Sequence, residues 1–193
     1  MQKLPRWLED TARSLAFWIG YSRSRYGAHL LTEGAIVGEV TPLIAAQVGG
    51  ESRVRAEVPY RLLGRKEGLD RADLVVFASA TSHQALRHAD VSSVIEVKRI
   101  ESGKQLIERD VDRLHACLSG LPPRARAFLL LISQRHRPTK YVNANGTAVR
   151  GTRRTTGGSP YRVRRVVRAR VGPRARGHYM CVLEVEKSRR GED

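Results

Sequence analysis

Hydrophobic and polar positions follow a helical period in three parts of the chain. Near the N-terminus, apolar residues at that spacing predict an amphipathic helix that ends near Gly20. A second helical pattern covers residues 29–48, where Thr32 can act as a cap and Pro42 predicts a break or restart. The third pattern, over residues 104–118, is a clean amphipathic helix that two following prolines stop.

Four short segments after the second helical pattern have the pattern of β-strands. One alternates like a half-exposed strand and three are continuous apolar runs typical of buried strands; they are residues 52–60, 72–78, 92–100 and 126–133. The third helix lies between two buried strands, which is the order of a βαβ step. The pattern therefore predicts an α/β fold with a mixed central β-sheet flanked by helices.

The last third of the chain has a different composition. Residues 136–160 predict a mobile basic loop, and residues 161–171 alternate Arg and Val like an edge strand with one cationic face. Residues 178–186 can pair with that strand as a hairpin. We also expect an irregular insert at 79–91 and a disordered tail from 187. The predicted organisation is a core over residues 1–135 and a basic C-terminal β-hairpin extension over 136–193, within one domain.

Positive charge is concentrated in that C-terminal part. The net charge is +16; residues 1–120 hold 17 Lys or Arg against 15 Asp or Glu, whereas residues 121–193 hold 18 against 4. Such asymmetry indicates a polyanionic partner, and nucleic acid is favoured because arginine suits phosphate, although a GC-rich genome also raises arginine content. The candidate phosphate-binding residues are Arg150, Arg153, Arg154, Arg162, Arg164, Arg165, Arg168 and Arg170.

Composition also bears on membrane association and on the redox compartment of the protein. The chain has no run of eighteen apolar residues, so we expect no membrane partner. Two cysteines are too few for a disulfide framework, which favours a reducing cytoplasm.

The third strand pattern carries an acid and a lysine in its apolar middle. Glu96 and Lys98 point to the same side of a strand, where burial is costly unless the pair does chemistry or binds an ion. An acid-x-lysine triplet easily arises by chance, but the preceding strand begins with Asp73. In addition, Glu33 lies within the apolar stripe of the second helix, where the alternative interpretations of an acid are a helix cap or an error in the helix boundary.

This order of elements and residues resembles the PD-(D/E)XK nuclease superfamily. Residues 29–133 reproduce the family's helix, three-stranded meander, helix and further strand, which implies a restriction-endonuclease-like core. The resemblance implies that Glu33, Asp73, Glu96 and Lys98 converge on Mg²⁺. The sequence departs from the family pattern at Ala72, where the name-giving proline would stand.

The chemistry implied by this resemblance is metal-assisted hydrolysis. Asp73, Glu96 and the backbone carbonyl of Val97 would hold Mg²⁺, for which Mn²⁺ can substitute, and Glu33 would act through water. Lys98 would orient or help to deprotonate the attacking water and offset charge in the transition state.

Three polar residues on the third helix have simpler interpretations. Gln105 could orient substrate or water, as in some members of the family, but a solvated helix face is the favoured reading. Asp110 and Arg113 are most simply a surface ion pair.

The expected function is a metal-dependent nuclease of bacterial or phage origin, acting on DNA in preference to RNA. A homodimer or a larger nucleoprotein complex is compatible, because a single site cuts one strand. One alternative is a non-catalytic nucleic-acid-binding protein on a degenerate nuclease fold. A second is a basic structural protein of a ribosome or phage particle, which predicts that the carboxylates of Glu33, Asp73 and Glu96 do not converge.

Overall fold

The computed structural model describes residues 2–26, 30–64, 70–78, 87–170 and 177–187. These residues form three α-helices, which are α1 Arg6–Tyr26, α2 Glu33–Gln47 and α3 Lys104–Gly120. They also form seven strands, which are β1 Arg53–Pro59, β2 Arg71–Phe77, β3 Val91–Arg99, β4 Arg126–Ser133, β5 Thr152–Arg154, β6 Pro160–Ala169 and β7 His178–Val185.

All seven strands belong to one sheet of order β1-β2-β3-β4-β7-β6-β5. β3 and β4 pair in parallel, and every other pair of neighbouring strands is antiparallel. The connection from β3 to β4 contains α3, as a parallel crossover requires. The predicted α/β class and mixed sheet are confirmed.

Side chains alternate along the central strands between two apolar layers. Leu74 and Ile95 face α1 and α2, whereas Val75 and Val94 face α3 and part of the segment between β4 and β6. All four side chains are fully buried. Because the pleat has a period of two, Asp73, Glu96 and Lys98 belong to the α3 face.

Two helices differ from their predicted bounds. α1 continues to Tyr26 instead of ending near Gly20, and its last turn is held by a hydrogen bond of 3.1 Å from Arg23 Nη1 to the Gln134 carbonyl. α2 runs through Pro42, so the predicted break is wrong. The residue four positions before Pro42 is Gly38, which tolerates the backbone adjustment that the proline ring imposes.

The C-terminal hairpin is present, but its details differ from the prediction. β6 pairs with β7 as expected, yet β6 is not the edge strand, because β5 pairs with its first residues. A β-bulge between Val163 and Arg165 shifts the alternation, so Arg165 lies opposite Val182 on one face and Arg168 lies opposite Tyr179 on the other. The predicted single cationic face is therefore divided between both sides of the sheet.

The segment at 136–160 is more ordered than a mobile loop. Tyr141 and Val142 are buried in the apolar layer on the α3 face, and Val142 forms a bridge with Ala148. β5 also lies within this segment. Its apolar residues outweigh the local richness in Gly, Thr and Asn, which had suggested a loop.

Parts of two predictions fall outside the described residues, namely most of the insert at 79–91 and the tail after 187. In the described part of the chain, the helices lack the combination of length and apolar character needed to cross a membrane.

Candidate active site

Asp73 lies at a one-residue interruption in the pairing of β2 with β1 and just beyond the last pair of β2 with β3. On the β1 side, Glu57 lies opposite Asp73 but has a left-handed backbone (φ 56°), and the ladder omits this pair. On the β3 side, the last pair is Leu74 with Ile95, one residue short of Asp73. The Asp73 carboxylate fills the gap, because its Oδ2 accepts a hydrogen bond of 2.7 Å from the backbone N–H of Val97. The opened sheet makes room for side-chain chemistry at this point.

Glu96 places a second carboxyl group beside Asp73. Glu96 is only 2% exposed, and the two carboxyl groups are within hydrogen-bonding reach of each other. Burial, followed by the negative charge of Asp73, raises the pKa of Glu96 well above its ordinary value. Burial also raises the pKa of Asp73, although the hydrogen bond from Val97 opposes that effect. Two adjacent acids, one buried and one half-buried, are costly to ionise together, and a bound cation would relieve that cost.

Tyr60 and Arg113 hold the Glu96 carboxyl group from the other side. Tyr60 Oη donates a hydrogen bond of 2.5 Å to Glu96 Oε1, and Arg113 Nη2 lies 3.3 Å from the same oxygen. Burial and the charge of Glu96 raise the pKa of Tyr60, so its hydroxyl remains a donor. The Arg113 guanidinium also lies over the Tyr60 ring, 5.3 Å from its centre. These contacts fix the orientation of Glu96.

Lys98 is held between two acids that come from different helices. Its Nζ lies 3.0 Å from Glu33 Oε2 and 3.2 Å from Asp110 Oδ2. Burial lowers the pKa of Lys98, but the hydrogen bond to Glu33 and the charge of Asp110 outweigh burial and raise it overall. Lys98 is therefore a positioned ammonium group, and its side chain remains 17% exposed to solvent.

Glu33 is the first residue of α2, rather than a residue in the middle of its apolar stripe. Thr32 is the N-cap, with its hydroxyl accepting from the Ala35 N–H, so the cap interpretation of Glu33 is wrong. Glu33 Oε1 accepts hydrogen bonds from Ser102 Oγ (2.6 Å) and from the Arg99 N–H (3.2 Å). Burial raises the pKa of Glu33, but these hydrogen bonds and Lys98 together lower it. Glu33 is thus ionised and anchored at the end of β3.

Asp110 and Arg113 are part of this cluster, so their interpretation as a surface ion pair is wrong. Asp110 is only 4% exposed and accepts a hydrogen bond of 2.6 Å from Arg113 Nη2. A sequence signal for this burial exists, because Asp110 lies three residues after Ile107 and one before Val111, within the apolar stripe of α3. The sequence gives no comparable sign that Tyr60 is buried in the cluster, because its position predicts only the end of a half-exposed strand.

Two other predicted site residues do not make the contacts that were expected of them. Gln105 is exposed on the first turn of α3, which agrees with the solvated alternative rather than an auxiliary role. Val97 lies between the two motif residues, and its N–H, not its carbonyl, makes the contact with Asp73 described above.

The cluster carries more negative than positive groups. Within the described residues it joins the carboxyl groups of Glu33, Asp73, Glu96 and Asp110 to the cationic groups of Lys98 and Arg113. The described residues contain no group of three or more His, Cys, Asp or Glu side chains arranged to hold a metal ion. The Asp73 and Glu96 pair, supplemented by a backbone carbonyl and waters, is nevertheless a donor set that suits Mg²⁺. The excess negative charge fits the same ion.

A basic groove lies between β6 and the segment before β5. It has a volume of about 650 Å³ and is lined by four of the predicted phosphate-binding residues, which are Arg150, Arg162, Arg164 and Arg165. Arg162 is 2.7 Å from Glu186, and Arg164 pairs with Glu184. Because these two arginines are partly neutralised, exposed Arg150 and half-buried Arg165 carry more of the attraction for a polyanion.

The other predicted phosphate-binding arginines lie outside the groove lining. Arg153 and Arg154 are on β5, where Arg154 Nη1 donates to the Gly158 carbonyl over 2.9 Å. Arg168 is exposed near the end of β6, with its guanidinium 5.7 Å from the centre of the Tyr179 ring, and Arg170 is exposed just after β6. The structure therefore distributes the predicted arginines along the whole length of β6.

The groove and Lys98 lie at matching positions along their strands, so a line across the sheet at right angles to the strands joins them. The register aligns Lys98 with Leu131, Leu131 with Cys181, and Cys181 with Val166, which lines the groove. Three strand spacings separate them, or roughly 14 Å. This separation is comparable with the width of a DNA major groove, about 12 Å.

Comparison with known proteins does not assign this chain to a family. No family model, no curated protein and no solved structure matches it.

Proposed function

We propose that this protein is a metal-dependent nuclease that hydrolyses phosphodiester bonds, in DNA rather than RNA, with Mg²⁺ or Mn²⁺ at the Asp73 and Glu96 pair. The observation that carries the proposal is the pairing of buried Glu96 with half-buried Asp73, two residues along β3 from a lysine held by Glu33 and Asp110. Among the described residues, Glu33, Asp73 and Glu96 do not form one metal-binding group, as the structural alternative predicts. The link between the two halves is Lys98, which Glu33 holds beside the Asp73 and Glu96 pair.

The topology supports the same proposal. From α2 to β4 the order is a helix, three antiparallel strands, a helix and a strand parallel to β3. This is the order expected for a restriction-endonuclease-like core, and Glu33 lies on the helix, Asp73 on the second strand, and Glu96 and Lys98 on the third. We therefore include that fold in the proposal.

When bound, the metal ion would polarise the scissile phosphate and acidify a water molecule. Asp73 and Glu96 provide the oxygens that would hold it. Lys98 stays protonated because of its acidic neighbours, so its favoured role is to stabilise negative charge on the phosphate rather than to remove a proton. Glu33 and Asp110 fix the position of the Lys98 ammonium group.

The phosphate backbone would be held by the basic groove and by the exposed arginines near the end of β6. Such contacts depend strongly on salt and carry little sequence information. The register that aligns the groove with Lys98 allows one nucleic acid to contact both. We infer that binding precedes and positions the backbone for cleavage.

The test is incubation of the purified protein with plasmid and single-stranded DNA in Mg²⁺, Mn²⁺ or EDTA, with RNA as a further substrate. We expect cleavage with either metal and none with EDTA. Asp73→Ala should abolish cleavage while keeping most of the DNA affinity, because Asp73 lies in the carboxyl pair and not in the basic groove. Full cleavage by Asp73→Ala would contradict the assignment.

The alternative is a nucleic-acid-binding protein without catalysis. The contacts of Glu96 with Tyr60 and Arg113 favour this alternative to some extent, because they satisfy one of its oxygens without any metal. The same incubation separates the two functions, since the alternative predicts tight binding and intact DNA under all metal conditions.

A further inference from the structure

The outward face of α1 carries two exposed aromatic side chains one turn apart. Phe17 is 66% exposed and Tyr21 is 44% exposed. Their ring centres are 6.4 Å apart and their planes differ by 17°, so the rings are nearly parallel. Arg13 and Arg25 continue the same spacing of four residues on either side, and both are exposed. We call these four residues the α1 stripe.

The C-terminal end of α1 lies near one end of the candidate active site, although α1 packs on the opposite face of the sheet from Asp73, Glu96 and Lys98. Arg23, two residues after Tyr21, donates to the Gln134 carbonyl at the end of β4. The Gln134 side chain in turn makes two hydrogen bonds of 3.0 Å with the backbone of Leu31, two residues before Glu33. The C-terminal end of α1 is thus fixed beside the start of α2, where Glu33 meets Lys98.

We propose that the α1 stripe binds the unpaired bases of single-stranded DNA, with the aromatic rings stacking on bases and Arg25 contacting phosphate. This inference rests on the proposed nuclease function and names the form of nucleic acid that reaches its site. Aromatic side chains stack on any base, and a neighbouring arginine adds attraction for the backbone. Bases paired inside a duplex do not present their faces in this way.

The size and charge of the stripe favour this occupant over a protein surface. An aromatic side chain buries at most about 250 Å², so two rings fall short of the roughly 800 Å² per partner of a stable protein interface. Arg25 at the C-terminal end of the stripe matches a polyanion, whereas Arg13 is partly neutralised by Asp10 at 2.8 Å and Glu9 at 3.8 Å. The chain as a whole carries a net charge of +16, which favours the same partner.

The test measures DNA binding in EDTA, so that cleavage cannot interfere. Fluorescence anisotropy compares a labelled oligo-dT strand with a duplex of equal length, using wild type and Phe17→Ala/Tyr21→Ala. We expect single-strand affinity to fall roughly 10- to 100-fold, duplex affinity to change less than about twofold, and the salt dependence to stay the same because no charge is removed.

Two further variants control for general effects. Leu62→Ala/Leu106→Ala removes two other exposed large apolar side chains, 60% and 48% exposed, and should bind single strands like wild type. Phe17→Leu/Tyr21→Leu keeps apolar area and a helix-forming side chain but removes the rings, so it should also lose single-strand affinity. This second variant keeps the test decisive if the alanine variant folds poorly.

The results distinguish single-stranded DNA from other partners of the α1 stripe, and they test the stripe separately from the proposed nuclease function. Unchanged single-strand affinity in both aromatic variants, or an equal loss for duplex, would overturn the inference. Loss of self-association or of anionic-vesicle binding, without loss of DNA binding, would overturn it in favour of a second copy or a lipid surface. If only the stripe variants lose single-strand binding and the wild-type protein does not cut DNA, the α1 stripe is a single-strand binding site and the nuclease proposal is wrong.

Discussion

Lys98 Nζ lies 3.2 Å from Asp110 Oδ2, so a lysine on β3 and an aspartate on α3 form an ion pair across the candidate site. The same lysine lies 3.0 Å from Glu33 Oε2 at the start of α2. Three elements of the fold therefore position one ammonium group. This arrangement gives Asp110 a role in placing Lys98, distinct from contact with substrate.

Replacing Asp110 by Asn should slow cleavage while leaving DNA binding unchanged. A displaced Lys98 would reduce the rate by roughly 10- to 100-fold, because small misplacements of a catalytic group are costly. Asp110 also contributes to the raised pKa of Lys98, so the variant should lose activity at a lower alkaline pH than wild type. The measurement is a single-turnover rate as a function of pH.

Asp112→Asn is the matched control for that variant. Asp112 is on the same helix, but its Oδ1 accepts a hydrogen bond of 2.5 Å from Thr155, away from Lys98. We expect the cleavage rate of Asp112→Asn to fall at the same alkaline pH as the wild-type rate. An equal shift in both variants would indicate a general effect on α3 and would contradict the positioning role of Asp110.

Glu96→Gln should change how stability depends on pH. Because the pKa of Glu96 is raised in the folded state, the folded protein keeps a proton that the unfolded chain loses, and stability falls as pH rises above the ordinary glutamate value. The slope for one such proton is at most about 1.4 kcal/mol per pH unit. Urea unfolding in EDTA should show wild type losing stability relative to Glu96→Gln as pH rises from the ordinary glutamate value of 4.5 toward the raised pKa of Glu96.

Metal binding supplies the check on that result. Mg²⁺ requires an ionised carboxylate, so it should stabilise wild type more as pH rises and should not stabilise Glu96→Gln. A stability difference between the two proteins that does not vary with pH would show that Glu96 is not the protonated member of the pair.

Arg150→Gln/Arg165→Gln should weaken DNA binding and reduce its salt dependence. Each arginine that contacts a phosphate contributes about 0.9 to the slope of log affinity against log salt, so the double variant should lose roughly 2. Arg55→Gln is the control, because Arg55 is exposed on β1, at the opposite edge of the sheet from β5 and β6. Anisotropy titrations at several salt concentrations measure both. An unchanged slope in the double variant would remove the groove from the proposed binding surface.

The strands and α3 could be predicted from sequence because their signals are local. The apolar runs of β2, β3 and β4 and the stripe of α3 do not depend on partners that are distant in sequence. The end of α1 could not be predicted, because its last polar turn is stabilised by Arg23 on Gln134, more than a hundred residues away. Local polarity favoured a loop there, and a tertiary contact overrode it.

The candidate site could be predicted only in part for a related reason. Glu33, Asp73, Glu96 and Lys98 stand out by type and order, and the structure brings Glu33 to Lys98 and Asp73 to Glu96. Residues that support them have ordinary local patterns. Arg113 resembles a surface partner of Asp110 at a spacing of three, and only the packing of α3 on the sheet shows that it reaches Glu96.

The central claim is that Lys98 takes part in phosphodiester hydrolysis, and the most direct measurement is a single-turnover cleavage rate with saturating protein and Mg²⁺. We predict that Lys98→Ala loses at least about 100-fold in rate with its DNA affinity retained, because it removes a group that stabilises the transition state. Lys104→Ala, which removes a lysine that is 67% exposed and only 3.8 Å from Glu108, should cleave like wild type. Equal rates for Lys98→Ala and wild type would contradict the account.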